Sequence, residues 1–445
     1  MKGFSDEPTC VVELLEGGAT VEDVIDNHIY EQALAEKSAF AVADLGALMR
    51  QHVLWQSTAP QVRPFYPVKF NSSPVVIELL AALGVGFVCA NKAELGLVLS
   101  YDVAPENIIL SGGCKQLSHI KYAAKNAIDY LVCDNEVELC KIARAHPKAK
   151  LLLQVSTEAR AEETNMVPGC SLKSCRHLLE TAGELGVQVV GATFQVPSSC
   201  KDPQAYSHAL ADARCVFDMG EELGFNMNIL DIGGGFSGSV FQLDQIHAAI
   251  RPRLDAYFPP TSGVHVIAEP GAFYVSPTFT LAVSIIGKKA VARDRRGQPQ
   301  DLLTPNDEPE FLYYMNDGAY GSFVDQLLGG TVLAPSVHKA SVSAEESVFS
   351  SSLWGPTGDV LDQVVEHCLL PELDVGDWLV FRNVGLSGQK DPAGRPPVYY
   401  TISTGDWYVA RPSAYQSSDQ VTNPQPARVF PGTTCRRPES LWTPR

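Results

Sequence analysis

From about residue 40 to residue 280 the chain repeats one pattern: a short apolar run, a turn rich in Gly, Ser or Asn, then a stretch with an apolar position every three or four residues. Runs of the first kind read as strands buried on both faces, and stretches of the second kind as amphipathic helices. The strands expected are Pro64–Val68, Gly86–Ala90, Asn107–Leu110, Tyr130–Cys133, Leu151–Val155, Gln188–Phe194, Met227–Ile232 and His265–Ala268. Helical segments such as VVIELLAALG, LSHIKYAAKNA, VELCKIARAH and CRHLLETAGELG lie between them. Strands alternating with helices in this way predict an α/β fold, a (β/α)8 TIM-like barrel over 45–280, with a doubly wound open sheet as the main alternative.

Beyond residue 280 the texture changes. β-branched and aromatic runs such as FTLAVSIIGKKAV, EFLYYMND, DWLVFRNVG and PVYYTIS are separated by Pro, Gly and charged turns, which predicts a C-terminal all-β domain, a β-sandwich over 281–412. Residues 1–44 hold a helix around Val21 to Glu36 and a strand over Phe40–Leu45, and are expected to pack with the β-domain. The polar segment Arg293–Pro309 reads as an exposed loop, and residues 413–445, rich in Ser, Pro, Thr and Arg, as a disordered tail.

Composition narrows the function. The 445 residues are 45% hydrophobic and 19% charged, enough for two or three domains. A formal charge of −17 argues against general nucleic-acid binding, which needs a basic surface. Eleven cysteines without CxxC pairs predict neither a zinc site nor a disulfide framework, and favour reduced thiols. No apolar run approaches the roughly 20 residues of a membrane span, so a soluble intracellular protein is expected.

Three stretches carry candidate chemistry. Lys69 ends the run PFYPVKF; a desolvated strand-end amine can form a Schiff base, although such lysines commonly bury only their stems. Three glycines, Gly233, Gly234 and Gly235, follow a strand in LDIGGGFSGS and can converge backbone N–H groups on a phosphate, or simply make a tight turn. Glu269 in AEPGAFYV can pair with a pyridinium nitrogen or cap the next segment. His119, His146 and His177 have no partners at metal-ligand spacing, and the serine-rich FSSSLW run has no GxSxG elbow.

Lys69 in PFYPVKFN, the glycines of DIGGGF, Glu269 in AEPG, Tyr320 in NDGAYGSF and Asp359 in SSSLWGPTGD, in that order, resemble the eukaryotic ornithine decarboxylase family from about residue 20 to 410. The resemblance implies a pyridoxal-phosphate barrel with a β-domain, dimeric in the active enzymes. It assigns Lys69, Ser198, Gly233, Gly234, Gly235, Glu269 and Tyr320 to the cofactor and Lys69 with Asp359 to catalysis. The departures surround that same site. Gln195 and Pro197 stand in FQVPSS where the family has FHVGSG, and Ala272 stands where it has a phosphate-gripping arginine. Val88, Gln154, Gly358, Gly329 and Ser387 replace further family residues. Removing a charged partner from a buried phosphate or amine costs roughly 2–5 kcal/mol. Six or more such departures around one site imply a pseudoenzyme with vestigial site residues and no cofactor. The alternative is a pyridoxal-phosphate decarboxylase of a substrate without ornithine's second amine.

Further segments, among them VIDNHIYE, YSHALADARCVFDM, NDEPEFLYYMNDGAYGSF and LDQVVEHCLLPELDVGDWLVF, are similar to the non-catalytic branch of the family. That branch binds antizyme, which frees ornithine decarboxylase from inhibition and degradation and raises polyamine synthesis and uptake. A surface for such a partner is legible. Residues 115–150 hold seven Lys or Arg (115, 121, 125, 141, 144, 148, 150) against four acids (129, 134, 136, 138), a local balance of 7 − 4 = +3. Helical spacing puts Lys121 and Lys125 on one face, with Leu117, Ile120 and Ala124 on the packed face. The resemblance implies antizyme contacts from Lys121, Lys125, Glu138, Leu139, Lys141 and Arg144. Cys140 stands where this branch carries a lysine. A monomer or weak dimer, in the cytoplasm with the nucleus as a second location, and a tail that does not direct antizyme-driven degradation complete the expectation.

Overall fold

The computed structural model describes residues 11–32, 37–157, 169–197, 200, 202–291, 310–324, 334–338, 347–386, 396–409 and 434–436. The chain forms two compact units, Arg50–Tyr274 and Met1–Met49 with Val275–Arg445. It begins with β1 (Val11–Leu15), α1 (Val21–Gln32), β2 (Phe40–Asp44) and α2 (Leu45–Thr58).

The barrel alternates β3 (Val62–Pro67), α3 (Pro74–Ala82), β4 (Gly86–Cys89), α4 (Lys92–Leu99), β5 (Ile108–Leu110), α5 (Leu117–Lys125), β6 (Tyr130–Cys133) and α6 (Glu136–Ala145). It continues through β7 (Lys150–Val155), α7 (Leu172–Leu185), β8 (Gln188–Phe194), α8 (Gln204–Glu222), β9 (Ile229–Asp231), α9 (Val240–Tyr257) and β10 (His265–Ala268). Each strand pairs in parallel with the next, and β10 closes on β3 through Val266 beside Val62 and Ala268 beside Pro64. The open-sheet alternative is thereby excluded. Phe65, Val88, Ile109, Val132, Leu152 and Ile267 fill the closed interior, one residue from each of six strands. The eight strands fall within two residues of their expected bounds. The largest consequence is at β3, which stops at Pro67, so Val68–Phe70 makes a 3₁₀ turn carrying Lys69.

After α10 (Gly271–Val275) come β11 (Phe279–Val291), β12 (Glu310–Met315), β13 (Pro335–His338), β14 (Val348–Trp354), β15 (Gln363–Pro371), β16 (Trp378–Arg382), β17 (Val398–Ser403), α11 (Thr404–Val409) and β18 (Thr434–Arg436). With β1 and β2 the strands make one ten-stranded hydrogen-bonded network, in the order β15-β14-β12-β11-β2-β17-β1-β18 with β16 and β13 branching from β11. The N-terminal segment is thus built into this sheet: β2 lies between β11 and β17. Its helix packs Val24, Ile25 and Ile29 on Phe40, Val42 and Trp378. Two ion pairs hold the same helix, Asp26 with His338 at 2.6 Å and Glu22 with Arg382 at 2.8 Å. Within the tail expected to be disordered, Thr434–Arg436 pairs in parallel with β1. The expected loop Arg293–Pro309 and the rest of that tail lie outside the described residues. Among the described residues no helix is long and apolar enough to cross a membrane, and no cluster of three His, Cys, Asp or Glu side chains is set to hold a metal.

Candidate functional site

Two regions of the barrel unit hold most of the residues singled out above. The first is the C-terminal mouth of β9, β10 and β3, three neighbouring strands. Lys69 is exposed there, its ammonium 5.7 Å from the Phe70 ring centroid, so the desolvation expected of a Schiff-base amine is absent. The early end of β3 is the reason: the 3₁₀ turn buries Val68 and carries Lys69 outward. Asp231, at the end of β9, is fully buried. Burial, then the neighbouring Glu269, pushes its carboxyl well above the usual range. Thr193 Oγ1 and the Gly233 N–H donate to it at 3.0 and 2.9 Å.

The glycine turn is committed to the chain's own groups. Gly234 N–H donates to Gln195 Oε1 at 3.1 Å, Ser237 N–H donates to Gln242 Oε1 at 2.6 Å, and Gly234 O accepts from Tyr206 at 2.7 Å. Gly233 needs its left-handed φ of +68°, and a Cβ there would run into Phe194 O. Glu269 is buried, with its N–H donating to Gly233 O at 2.7 Å. Ser198 lies outside the described residues, as do Gly329 and Ser387. In the other unit, exposed Tyr320 hydrogen-bonds to exposed Asp359, and Gly358 makes an exposed turn at φ +72°.

The second region lies between α5 and α6. A groove of about 730 Å³ is lined by Leu117 and Lys121 of α5 and by Glu136, Val137, Cys140, Lys141, Arg144 and Ala145 of α6. Its composition follows from helical spacing: Val137, Lys141 and Arg144 stand at i, i+4 and i+7, on one face of α6. The opposite face packs inward through Leu139 and Ile142. Asn135 caps α6 by accepting the Glu138 N–H at 2.9 Å, and its own amide donates to Gly113 O at 3.2 Å. Acidic Glu136 and Glu138 in the first turn and Arg144 in the last suit the helix dipole.

This geometry sorts the expected contact residues. Lys121, Lys141 and Arg144 line the groove, and exposed Lys125 sits one turn further along α5. Leu139 is fully buried and Glu138 is 3% exposed, so neither presents a contact surface. Leu139 is on the packed stripe of α6, and the Glu138 carboxylate is folded onto two lysines, Lys115 at 3.2 Å and Lys141 at 2.5 Å. Lys115, counted in the basic patch, is an interior residue. Burial lowers its pKa while Glu138 opposes that shift. On α5 the packed residues are Ile120 and Ala123, whereas Leu117 is 47% exposed. Val137, 80% exposed, was missed although its i+4 and i+7 neighbours are basic.

A model of the pyridoxal-binding domain of pyridoxal-dependent decarboxylases matches residues 45–276. Antizyme inhibitor 1 of Pongo abelii is 52% identical over 430 residues, 95% of this chain and 96% of that protein. The chain belongs to the ornithine decarboxylase and antizyme inhibitor family. Within it, ornithine decarboxylase of Rattus norvegicus is 44% identical over 409 residues, 89% of this chain and 88% of that enzyme. Among solved structures, the arginine decarboxylase of Paramecium bursaria Chlorella virus bound to agmatine superposes with a TM-score of 0.74 at 28% identity. It covers 85% of this chain and 100% of that one. The family accounts for the barrel, the sheet unit and the retained Lys69, glycine turn and Glu269; the groove lies on the barrel's outer helices.

Proposed function

We propose that this chain binds antizyme through the α5/α6 groove, without decarboxylase activity, and so releases ornithine decarboxylase from antizyme. The observation that carries the binding half is the groove itself: exposed apolar Val137 and Leu117 beside Lys121, Lys141 and Arg144, in a chain of net charge −17. An apolar contact ringed by cations fits a partner surface with an apolar side chain among carboxylates. The charges set encounter rate and register, and the desolvated apolar contact holds the complex. The names of the relatives support antizyme as that partner.

The catalytic half rests on the barrel mouth. A cofactor phosphate needs free N–H donors and a cation, yet the Gly233, Gly234 and Ser237 N–H groups are engaged by Asp231, Gln195 and Gln242, and position 272 is alanine. The residues present do not fit pyridoxal phosphate, and Lys69 is exposed rather than buried in the site. We place the protein in the cytoplasm, with the nucleus as a second location, as a monomer or weak dimer.

Affinity for purified antizyme, measured by calorimetry for the wild type and for Lys121→Ala, Lys141→Ala and Arg144→Ala, tests the binding half. Each variant is expected to bind at least about fivefold more weakly, roughly the 1 kcal/mol of a modest interface contact. Unchanged affinity in all three removes the groove from consideration. Absorbance on titration with pyridoxal phosphate tests the other half: no band dependent on Lys69 is expected, and a band lost in Lys69→Ala would restore the decarboxylase reading.

A further inference from the structure

We propose that Lys115, out of reach of any partner, is a positioning residue of the docking groove, acting through Glu138 on Lys141. The inference rests on the groove being the antizyme surface. Glu138 is the link. Its Oε1 accepts the Lys115 backbone N–H at 3.1 Å and lies 3.2 Å from the Lys115 ammonium, while its Oε2 lies 2.5 Å from the Lys141 ammonium. Lys141 also donates to the Lys115 carbonyl at 2.6 Å. Both anchors of the Lys141 ammonium therefore lead to residue 115, one directly at its backbone carbonyl and the other through Glu138, whose Oε1 is held by the Lys115 ammonium and N–H.

Lys115 is in turn fastened to the barrel. Its side chain is 1% exposed and its ammonium donates to Gly112 O at 2.6 Å and to Val132 O, in β6, at 2.5 Å. A continuous run of bonds thus leads from a barrel strand to a groove cation 31% exposed at its side chain. The same run ties α6 to the segment just before α5, two residues from Leu117 in the facing wall. Without Lys115, Glu138 and Lys141 can still pair as i and i+3 neighbours on one helix. The residue 115 N–H and carbonyl, which a side-chain substitution leaves in place, would then be that pair's remaining holds on the other wall, with Glu138 no longer tied through the ammonium to Gly112 O and Val132 O. Among the described residues no bond joins Lys121 or Arg144 to this run, so they serve as internal controls.

A buried ion pair commonly adds little stability over apolar side chains of the same shape, and its best-attested use is to specify geometry. That use makes a distinct prediction. Lys115→Met is expected to weaken antizyme binding about tenfold, within the range of coupling for residues in one ion-pair network. The loss should be largely absorbed when Lys141→Ala is already present, and should add in full to Lys121→Ala. Because Lys115→Met leaves a buried carboxylate without its interior cation, held by Lys141 and the residue 115 N–H, Lys115→Met/Glu138→Gln, which removes both interior charges, is measured beside it with thermal unfolding of each. A readout independent of antizyme is the acetylation rate of single lysines, followed by mass spectrometry. Lys141 should react faster in both variants, with Lys121 unchanged. Wild-type affinity for the Lys115 variants, full additivity with Lys141→Ala, or an unchanged Lys141 rate overturns the proposal. If the Lys121 and Lys141 variants themselves bind as wild type, the groove reading fails instead, and the role of Lys115 in binding goes with it.

Discussion

Val137 and Leu139 lie two positions apart on one helix and have opposite fates, the first 80% exposed in the groove and the second fully buried under it. A contact role can pass from one to the other only by inspection of which stripe packs, since both are aliphatic. At the barrel mouth, single residues decide chemistry. Gln195 takes the Gly234 N–H and position 272 supplies no cation, so Gln195→His with Ala272→Arg is expected to raise pyridoxal-phosphate affinity tenfold or more. One restored charge pairing of about 2 kcal/mol exceeds that threshold, and spectrophotometric titration measures it. Glu78, on α3, is a different case: it is buried, its Oε1 has no hydrogen-bond partner among the described residues, and burial pushes its pKa to about 7. A raised carboxyl pKa means the fold favours the protonated form. Its stabilising effect is present below 4.5, the ordinary glutamate value, and is lost as pH rises through about 7. Glu78→Gln should accordingly raise the melting temperature at pH 8 and leave it little changed at pH 4; an equal shift at both would show that ionisation is not the cause.

Among elements, α6 is the one whose ends matter most. Asn135 caps it and also reaches Gly113, in the segment before α5, so Asn135→Ala is expected to cost about 1 kcal/mol of stability in denaturant unfolding. It should weaken antizyme binding too, because the cap and the Lys115 to Lys141 run hold the same helix. β8 shows a second kind of constraint: a Cβ at Gly191 would collide with the Ile229 carbonyl of β9. Gly191→Ala must push apart two strands of a closed barrel, and a loss of several kcal/mol is expected in thermal unfolding, on the scale of severe overpacking. Strand positions were legible because a strand buried on both faces is an uninterrupted apolar run. Strand ends were less so, since Val68 is apolar and buried whether β3 or the 3₁₀ turn contains it. That ambiguity is what placed Lys69 on a strand end and implied its desolvation.

At the scale of the molecule, charge is unevenly spread: a chain of −17 carries a cationic groove, so an acidic partner is attracted locally and repelled elsewhere. Association with antizyme should slow as salt rises from about 50 to about 500 mM while dissociation changes less, because screening acts on encounter over roughly the Debye length. Stopped-flow rates at several ionic strengths check this; a salt-independent association rate would remove the electrostatic contribution. The alternation of apolar runs and amphipathic helices by itself determined that the barrel unit has eight strands, since each pattern fits only one kind of burial. The motif order determined the family, and the substitutions around it determined which family residues are missing. Tertiary structure alone decided that the sheet closes, because β10 beside β3 is a pairing of residues about 200 apart that no local pattern encodes. It set β2 between β11 and β17, where the sequence indicated only that residues 1–44 pack with the β-domain. It also turned Lys115 and Glu138 from surface charges into interior ones. Sequence records that a side chain is charged, whereas its role depends on the neighbours that desolvate and pair it, and those come from distant turns of the chain.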